Sequence, residues 1–206
     1  MKTTFAICIS CCLAWMLASC STPPGTMGSG NEPVLEPVSC VAVLPAGMGS
    51  EEEMAGSGDT SEEVRKGAGF ADSVLRQELG GNPKARFVTV TQLGGEGMGS
   101  ENMAIDQASK ITGCDAVLIT TVYRFKQRQG TTYAADKPAS ASFDMRLYGS
   151  GARSVIWAAD FSETQESLLS NLLSFGKAQS RGFKWITVED MVSQGIKERL
   201  AGCPYL

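Results

Sequence analysis

Apolar and polar positions change rhythm several times along this chain, and each change predicts an element. Cys40-Val41-Ala42-Val43-Leu44-Pro45 is a short β-branched run closed by proline, the pattern of a buried strand. From Ser61 to Leu79, Val64, Ala68, Ala71, Val74, Leu75 and Leu79 recur at helical spacing behind a Thr60/Glu63 capping box. Gly80-Gly81-Asn82-Pro83 ends that helix. Phe87-Val88-Thr89-Val90 predicts a second strand, and Glu101 to Thr112 a second helix ended by Gly113. Ala116 to Lys126 is the longest strand pattern, apolar at first and polar later, as for a strand that starts in the middle of a sheet. Gln127 to Pro138 is a polar turn region. Ala141, Phe143, Met145 and Leu147 then alternate with polar residues, and Ser154 to Phe161 follows as another strand. Ser162/Gln165 and Thr187/Asp190 predict two last helices, with Leu168, Leu169, Leu172 and Leu173 inward in one and Met191, Val192, Ile196 and Leu200 in the other.

The predicted order is βαβαβββαα. Strand–helix–strand units build a right-handed parallel core, and the three later strands add an antiparallel meander. The expected fold class is α/β, a mixed sheet with helices packed on it.

The ends of the chain predict how it is organised. Lys2, an apolar stretch from Phe5 to Leu17, and the small residues Ala18 and Ser19 have the layout of a secretory signal peptide. Leu17, Ala18, Ser19 and Cys20 resemble the bacterial lipobox, which implies cleavage before Cys20 and lipidation of its thiol and new amine. A multiply acylated cysteine holds firmly to a bilayer, whereas one acyl chain does not. Ser21, in place of Asp, resembles an outer-membrane address, with the inner membrane second. Residues 1–19 are then signal, 20–37 a lipidated tether rich in Pro and Gly, and 38–206 a single domain. A flexible tether of that length spans about 20–25 Å.

Composition narrows the chemistry. The 18 basic and 22 acidic residues become 17 and 22 once Lys2 leaves with the signal, and no basic run marks a nucleic-acid binder. The chain has no histidine. The commonest general base and metal ligand is therefore missing, and Ser/His/Asp or Cys/His nucleophile systems cannot be assembled. No metal or cofactor is expected. Carboxylate-only hydrolysis is the enzymatic alternative, with Asp115, Asp144, Asp160 and Glu163 as candidates whose spacing selects no pair. The loops Gly47-Met48-Gly49-Ser50-Glu51 and Gly97-Met98-Gly99-Ser100-Glu101 each join a strand to a helix, but neither carries a phosphate-loop ending, and both read as flexible connectors. Met48, Met54, Met98 and Met103 raise the option of a soft contact surface. Of the seven cysteines, Cys40, Cys114 and Cys203 belong to the domain. Because domain termini often lie close, a Cys40–Cys203 bridge is the expected pairing. Tyr123, Arg124 and Phe125 at a strand end, with Trp185 between the last two helices, form the expected interface.

Val41-Ala42-Val43-Leu44-Pro45, then Gly113-Cys114-Asp115-Ala116-Val117-Leu118-Ile119 and Ser154-Val155-Ile156-Trp157, resemble strand openings in the envelope lipoproteins related to CsgG, PelC and LpoB. Here Cys114 stands where that family usually has Ala, and Ala46 where Phe is frequent. The resemblance implies an anticodon-binding-like α/β domain facing the periplasm on a lipid anchor. It implies non-enzymatic work: secretion or export, or activation of cell-wall synthesis, by contact with an envelope protein partner or by self-oligomerisation.

Overall fold

The computed structural model describes residues 37–55, 58–95, 100–130, 135–165 and 186–206. The strands are β1 (Val41–Val43), β2 (Gly47–Met48), β3 (Ala85–Phe87), β4 (Ala116–Lys126), β5 (Gln129–Gly130), β6 (Ala135–Lys137), β7 (Ser140–Gly149) and β8 (Val155–Thr164). The helices are α1 (Glu51–Met54), α2 (Ser61–Leu79), α3 (Glu101–Thr112) and α4 (Val188–Ala201). The main sheet runs β3-β1-β4-β7-β8, with β2 also on β4. β1 is parallel to β3 and β4, and β4, β7 and β8 form the antiparallel meander. This is the mixed α/β sheet expected from the pattern.

Thr60 and Thr187 cap α2 and α4 through reciprocal bonds with Glu63 and Asp190, so local sequence sets both helix starts. The inward stripes of these helices cover one face of the sheet, against Val41, Val43, Leu118, Phe143, Met145 and Leu147. Gly67 allows α2 to come close, because a Cβ there would lie 2.5 Å from Phe125. The opposite face carries a smaller cluster, in which Ile105 and Ala108 of α3 pack on Ala42, Leu44, Val117 and Tyr148.

Four details differ from the sequence expectation. β3 lies two residues earlier, because Thr89 and Gln92 bond each other and turn the chain away after Val88. Ser162 caps no helix. β8 runs on to Thr164, and the Gln165 amide donates to Ala139 at 2.8 Å, so pairing with β7 takes the place of the local cap. The polar turn after β4 contains the short β5–β6 ribbon. Cys40 is bridged to Cys114, not Cys203. Val41 pairs in register with Ala116, which sets their cysteine neighbours 5.0 Å apart at Cα. Cys203 instead packs in the cluster under α2 and α4, on the far side of the sheet, where burial raises its thiol pKa. The lipobox and Cys20, the tether to residue 36, Gly97 to Gly99, the helix expected at Leu168 to Lys177, and Trp185 lie outside the described residues.

Candidate interaction surface

α3 covers only one end of its face. Beyond it, β4, β7 and β8 present a polar stretch built by alternation. Asp144 and Arg146 sit two apart on β7 and share this face with Tyr148, while Phe143, Met145 and Leu147 point to the other. The Arg146 guanidinium lies 2.7 Å from Asp144 Oδ2, and the Tyr123 hydroxyl donates to that same oxygen at 3.1 Å. Arg146 also donates to the Tyr148 hydroxyl, which in turn donates to Glu101 at the start of α3. A chain of polar groups thus crosses the sheet from α3 to the far end of β4.

The electrostatics follow from that arrangement. Burial, the Asp144 charge and the bond to Asp144 push the Tyr123 phenol up to about 12. The bond to Tyr148 and the Asp144 charge raise Arg146 further, so its charge is fixed. Gly49 underlies Tyr123, since a Cβ there would lie 2.4 Å from the ring. Beside it, Ser50 and Glu53 form the capping box of α1, and the Ser50 bonds hold the Glu53 carboxyl below its usual range.

The expected interface divides. A register shift between Val122 and Arg124 sends Tyr123 and Arg124 toward the polar face, but Phe125 into the core, 7% exposed and packed near Phe70. Phe125 is therefore no surface residue. Arg124 reaches Thr164 Oγ1 at 3.5 Å, and its buried Nε has no hydrogen-bond partner among the described residues.

The four candidate carboxylates fall in three places. Asp115 accepts from the Ser39 amide at 3.0 Å and from the Cys40 amide at 3.4 Å, clamping the start of the domain. Burial works against its ionisation, yet these amides outweigh it and hold the carboxyl below its ordinary value. Asp144 and Asp160 stand directly opposite in register on one face. Glu163, opposite Ala141, belongs to the other face.

The first glycine loop is ordered rather than a flexible connector. Gly47 and Met48 form β2 beside Thr121 and Val122, and the Gly49 amide donates to Val122 at 2.9 Å. Amides committed to the sheet and to the α1 cap do not cradle a phosphate. A groove of about 610 Å³ opens past the ends of β1 and β3, with Met48, Val90 and Ala68 in its walls. A second, of about 420 Å³, lies between α2 and α4 over Phe70 and Phe125. Met48 and Met103 are exposed, whereas Met54 is buried. Among the described residues, no cluster of three His, Cys, Asp or Glu side chains is placed to hold a metal, and no helix is long and apolar enough to cross a membrane.

Sequence reasoning missed the Tyr123–Asp144–Arg146 network. Its signal was present, since an acid and a base two apart on a half-exposed strand share a face.

Several solved structures match this chain at low identity. The PelC dodecamer from Paraburkholderia phytofirmans matches with a TM-score of 0.46 at 13% identity, over 79% of this chain and 86% of that one. The hypothetical protein CT253 from Chlamydia trachomatis matches with 0.45 at 13% identity, over 80% and 95%. The LpoB C-terminal domain from Escherichia coli matches with 0.38 at 16% identity, over 62% and 84%. At these identities the likeness is one of fold. No family model matches the sequence, and no curated protein matches it.

Proposed function

We propose that this chain is a lipid-anchored, periplasm-facing protein of the outer membrane that works without catalysis, by binding or organising other components of the envelope. Secretion, export or cell-wall assembly are the settings this suits. The observation that carries the reading is the run Leu17-Ala18-Ser19-Cys20, placed behind an apolar leader and ahead of a polar tether and a folded domain. The domain supports it with a sheet face that the described residues cover only in part and whose polar groups are held in place by one another. Such a face is pre-organised for contact.

The test is the mass and location of the mature protein. Purified from membranes, it carries three acyl chains on Cys20, and Cys20→Ser releases it from the outer-membrane fraction. An unlipidated Cys20, or a Cys20→Ser protein that stays membrane-bound, contradicts the anchor.

One observation favours a second reading, a carboxylate-dependent hydrolase of cell-wall glycan: Asp144 and Asp160 lie side by side. Two facts weigh against it. Asp144 Oδ2 already takes both Arg146 and Tyr123, and neither groove described above is lined by either carboxylate. Glycan turnover by the purified protein that disappears in Asp144→Asn or Asp160→Asn establishes the hydrolase. Absence of turnover leaves the binding role.

A further inference from the structure

The connections of the sheet open a crevice at one end of it. β1 and β3 are parallel neighbours, and the chain leaves each of them for a helix. α2, reached from β1, lies on one face, whereas α3, reached from β3, lies on the other. The two loops therefore part at the carboxyl ends of the strands, where open α/β sheets form ligand-binding crevices. The groove of about 610 Å³ lies there, and its volume is in the range of sites for small molecules.

Its walls are kept bare where the fold does not require it. Gly69 is in the interior of α2, where glycine weakens a helix relative to alanine, and Gly47 is in β2, where it weakens a strand. Neither has a left-handed φ, and a Cβ at either would meet nothing within 4 Å. Gly67 is different, because the Phe125 ring excludes any side chain there. Turn geometry and packing thus do not account for Gly47 and Gly69, whereas an occupant of the groove they line does. Met48 and Val90 line the same groove and are 47% and 41% exposed, so two large apolar side chains stand in water there until something covers them.

The chemistry of the walls selects the occupant. The Leu44, Leu93 and Gly95 amides are bonded within the domain, and Pro45 has none. A peptide would bring amides and carbonyls that these walls leave unanswered, and buried polar groups without partners are costly. A hydrocarbon chain brings no such groups. At the rim, Arg65 is the only charged side chain among the described lining residues. It bonds Glu62, and a guanidinium, with five donors, can serve a second carboxylate. The other groove, between α2 and α4, is rimmed by Glu63 and Glu189 against Lys66 and is less suited to an anion. We propose that the groove past β1 and β3 binds a free fatty acid, with its hydrocarbon chain between the two loops and its carboxylate at Arg65. This site goes beyond the contact role and does not rest on it. Burial of the chain supplies the affinity, while Arg65, being exposed, contributes less and sets the orientation.

Photolabelling tests it. The full chain with Cys20→Ser is irradiated with a laurate analogue that carries a diazirine in its chain, and the labelled peptides are mapped. The label is expected on the loops from Leu44 to Met48 and from Val90 to Leu93. Unmodified laurate should displace it, and methyl laurate should do so about two- to fivefold less well, a difference that vanishes in Arg65→Ala. Gly69→Leu should lower labelling of these loops by about tenfold or more, while the protein melts no earlier, because the added Cβ meets nothing. Three results overturn the proposal: label confined to the leader from Phe5 to Leu17 or scattered outside the groove, equal displacement by laurate and its methyl ester, or labelling indifferent to Gly69→Leu. The mapping is made on an unaltered groove, so a variant that folds poorly leaves the test intact. Loss of this site leaves the anchor and the contact role standing.

Discussion

The two faces of the sheet are built from the same strands but to different ends. One is sealed by α2 and α4, and its residues Val41, Leu118, Phe143, Met145 and Leu147 are buried. Among the described residues the other is closed only where α3 lies on Val117 and Tyr148, and then opens onto Tyr123, Asp144 and Arg146. The sealed face gains stability from apolar burial, which needs no particular partner geometry. The open face gains little that way. Its order comes from a few directed bonds, each modest in water. A face of this kind costs little to change and is free to meet something else.

The sharpest break of this comparison is a cavity under the helices. Phe143→Ala, which removes a ring stacked 5.0 Å from Phe161, is expected to cost about 3–5 kcal/mol in urea unfolding. A loss below about 1 kcal/mol would mean that this face is not the main source of stability. Next is the bridge that pins β1 to β4. Its cysteines are 74 residues apart, and reduction, or Cys114→Ala, is expected to cost roughly 2–4 kcal/mol. The same melts, with and without reductant, give the number, and the Cys203→Ala protein should melt the same way under both conditions as the unmodified one does.

Smaller still is overpacking at the helix contact. Gly67→Ala pushes a methyl toward the Phe125 ring and is expected to cost about 1–3 kcal/mol, despite the better helix propensity of alanine. On the open face, Asp144→Asn is expected to cost about 1 kcal/mol or less, since its Arg146 partner is half exposed. A double-mutant cycle with Arg146→Ala measures the coupling directly.

A further effect is confined to alkaline pH. The Tyr123 phenol ionises near 12 in the folded chain and near its usual 10 when unfolded. The folded state therefore keeps the proton more tightly. The resulting stability is fully present below pH 10 and is lost as pH rises toward 12. Tyr123→Phe should flatten that loss, and the late-titrating phenolate absorbance of the unmodified protein should shrink in that variant. Loss of the same size in Tyr123→Phe would remove Tyr123 as the cause.

The helices and central strands were legible because their signals are local. Thr60 with Glu63 and Thr187 with Asp190 state where α2 and α4 begin, and an apolar run opening at Ala116 belongs in the middle of a sheet. What depended on register was not legible. Tyr123 and Phe125 are two apart and would share a face in a regular strand, but one register shift places them on opposite faces. The cysteine pairing failed for a related reason. Nearness of chain ends suggested Cys203, whereas the parallel register of β1 and β4 brings Cys114 to Cys40. Ser162 shows the same competition, since its capping signal is real but weaker than a ladder that extends to Thr164.

The central claim is that contact is made through the open face. Photo-crosslinking in intact envelopes tests it most directly, with a photoreactive residue at Thr121 or Ser142 on that face and, for comparison, at Ser73 on the outer side of α2. The account predicts crosslinks to an envelope component or a second copy from Thr121 and Ser142, and few from Ser73. Crosslinks from Ser73 with none from the open face would contradict it.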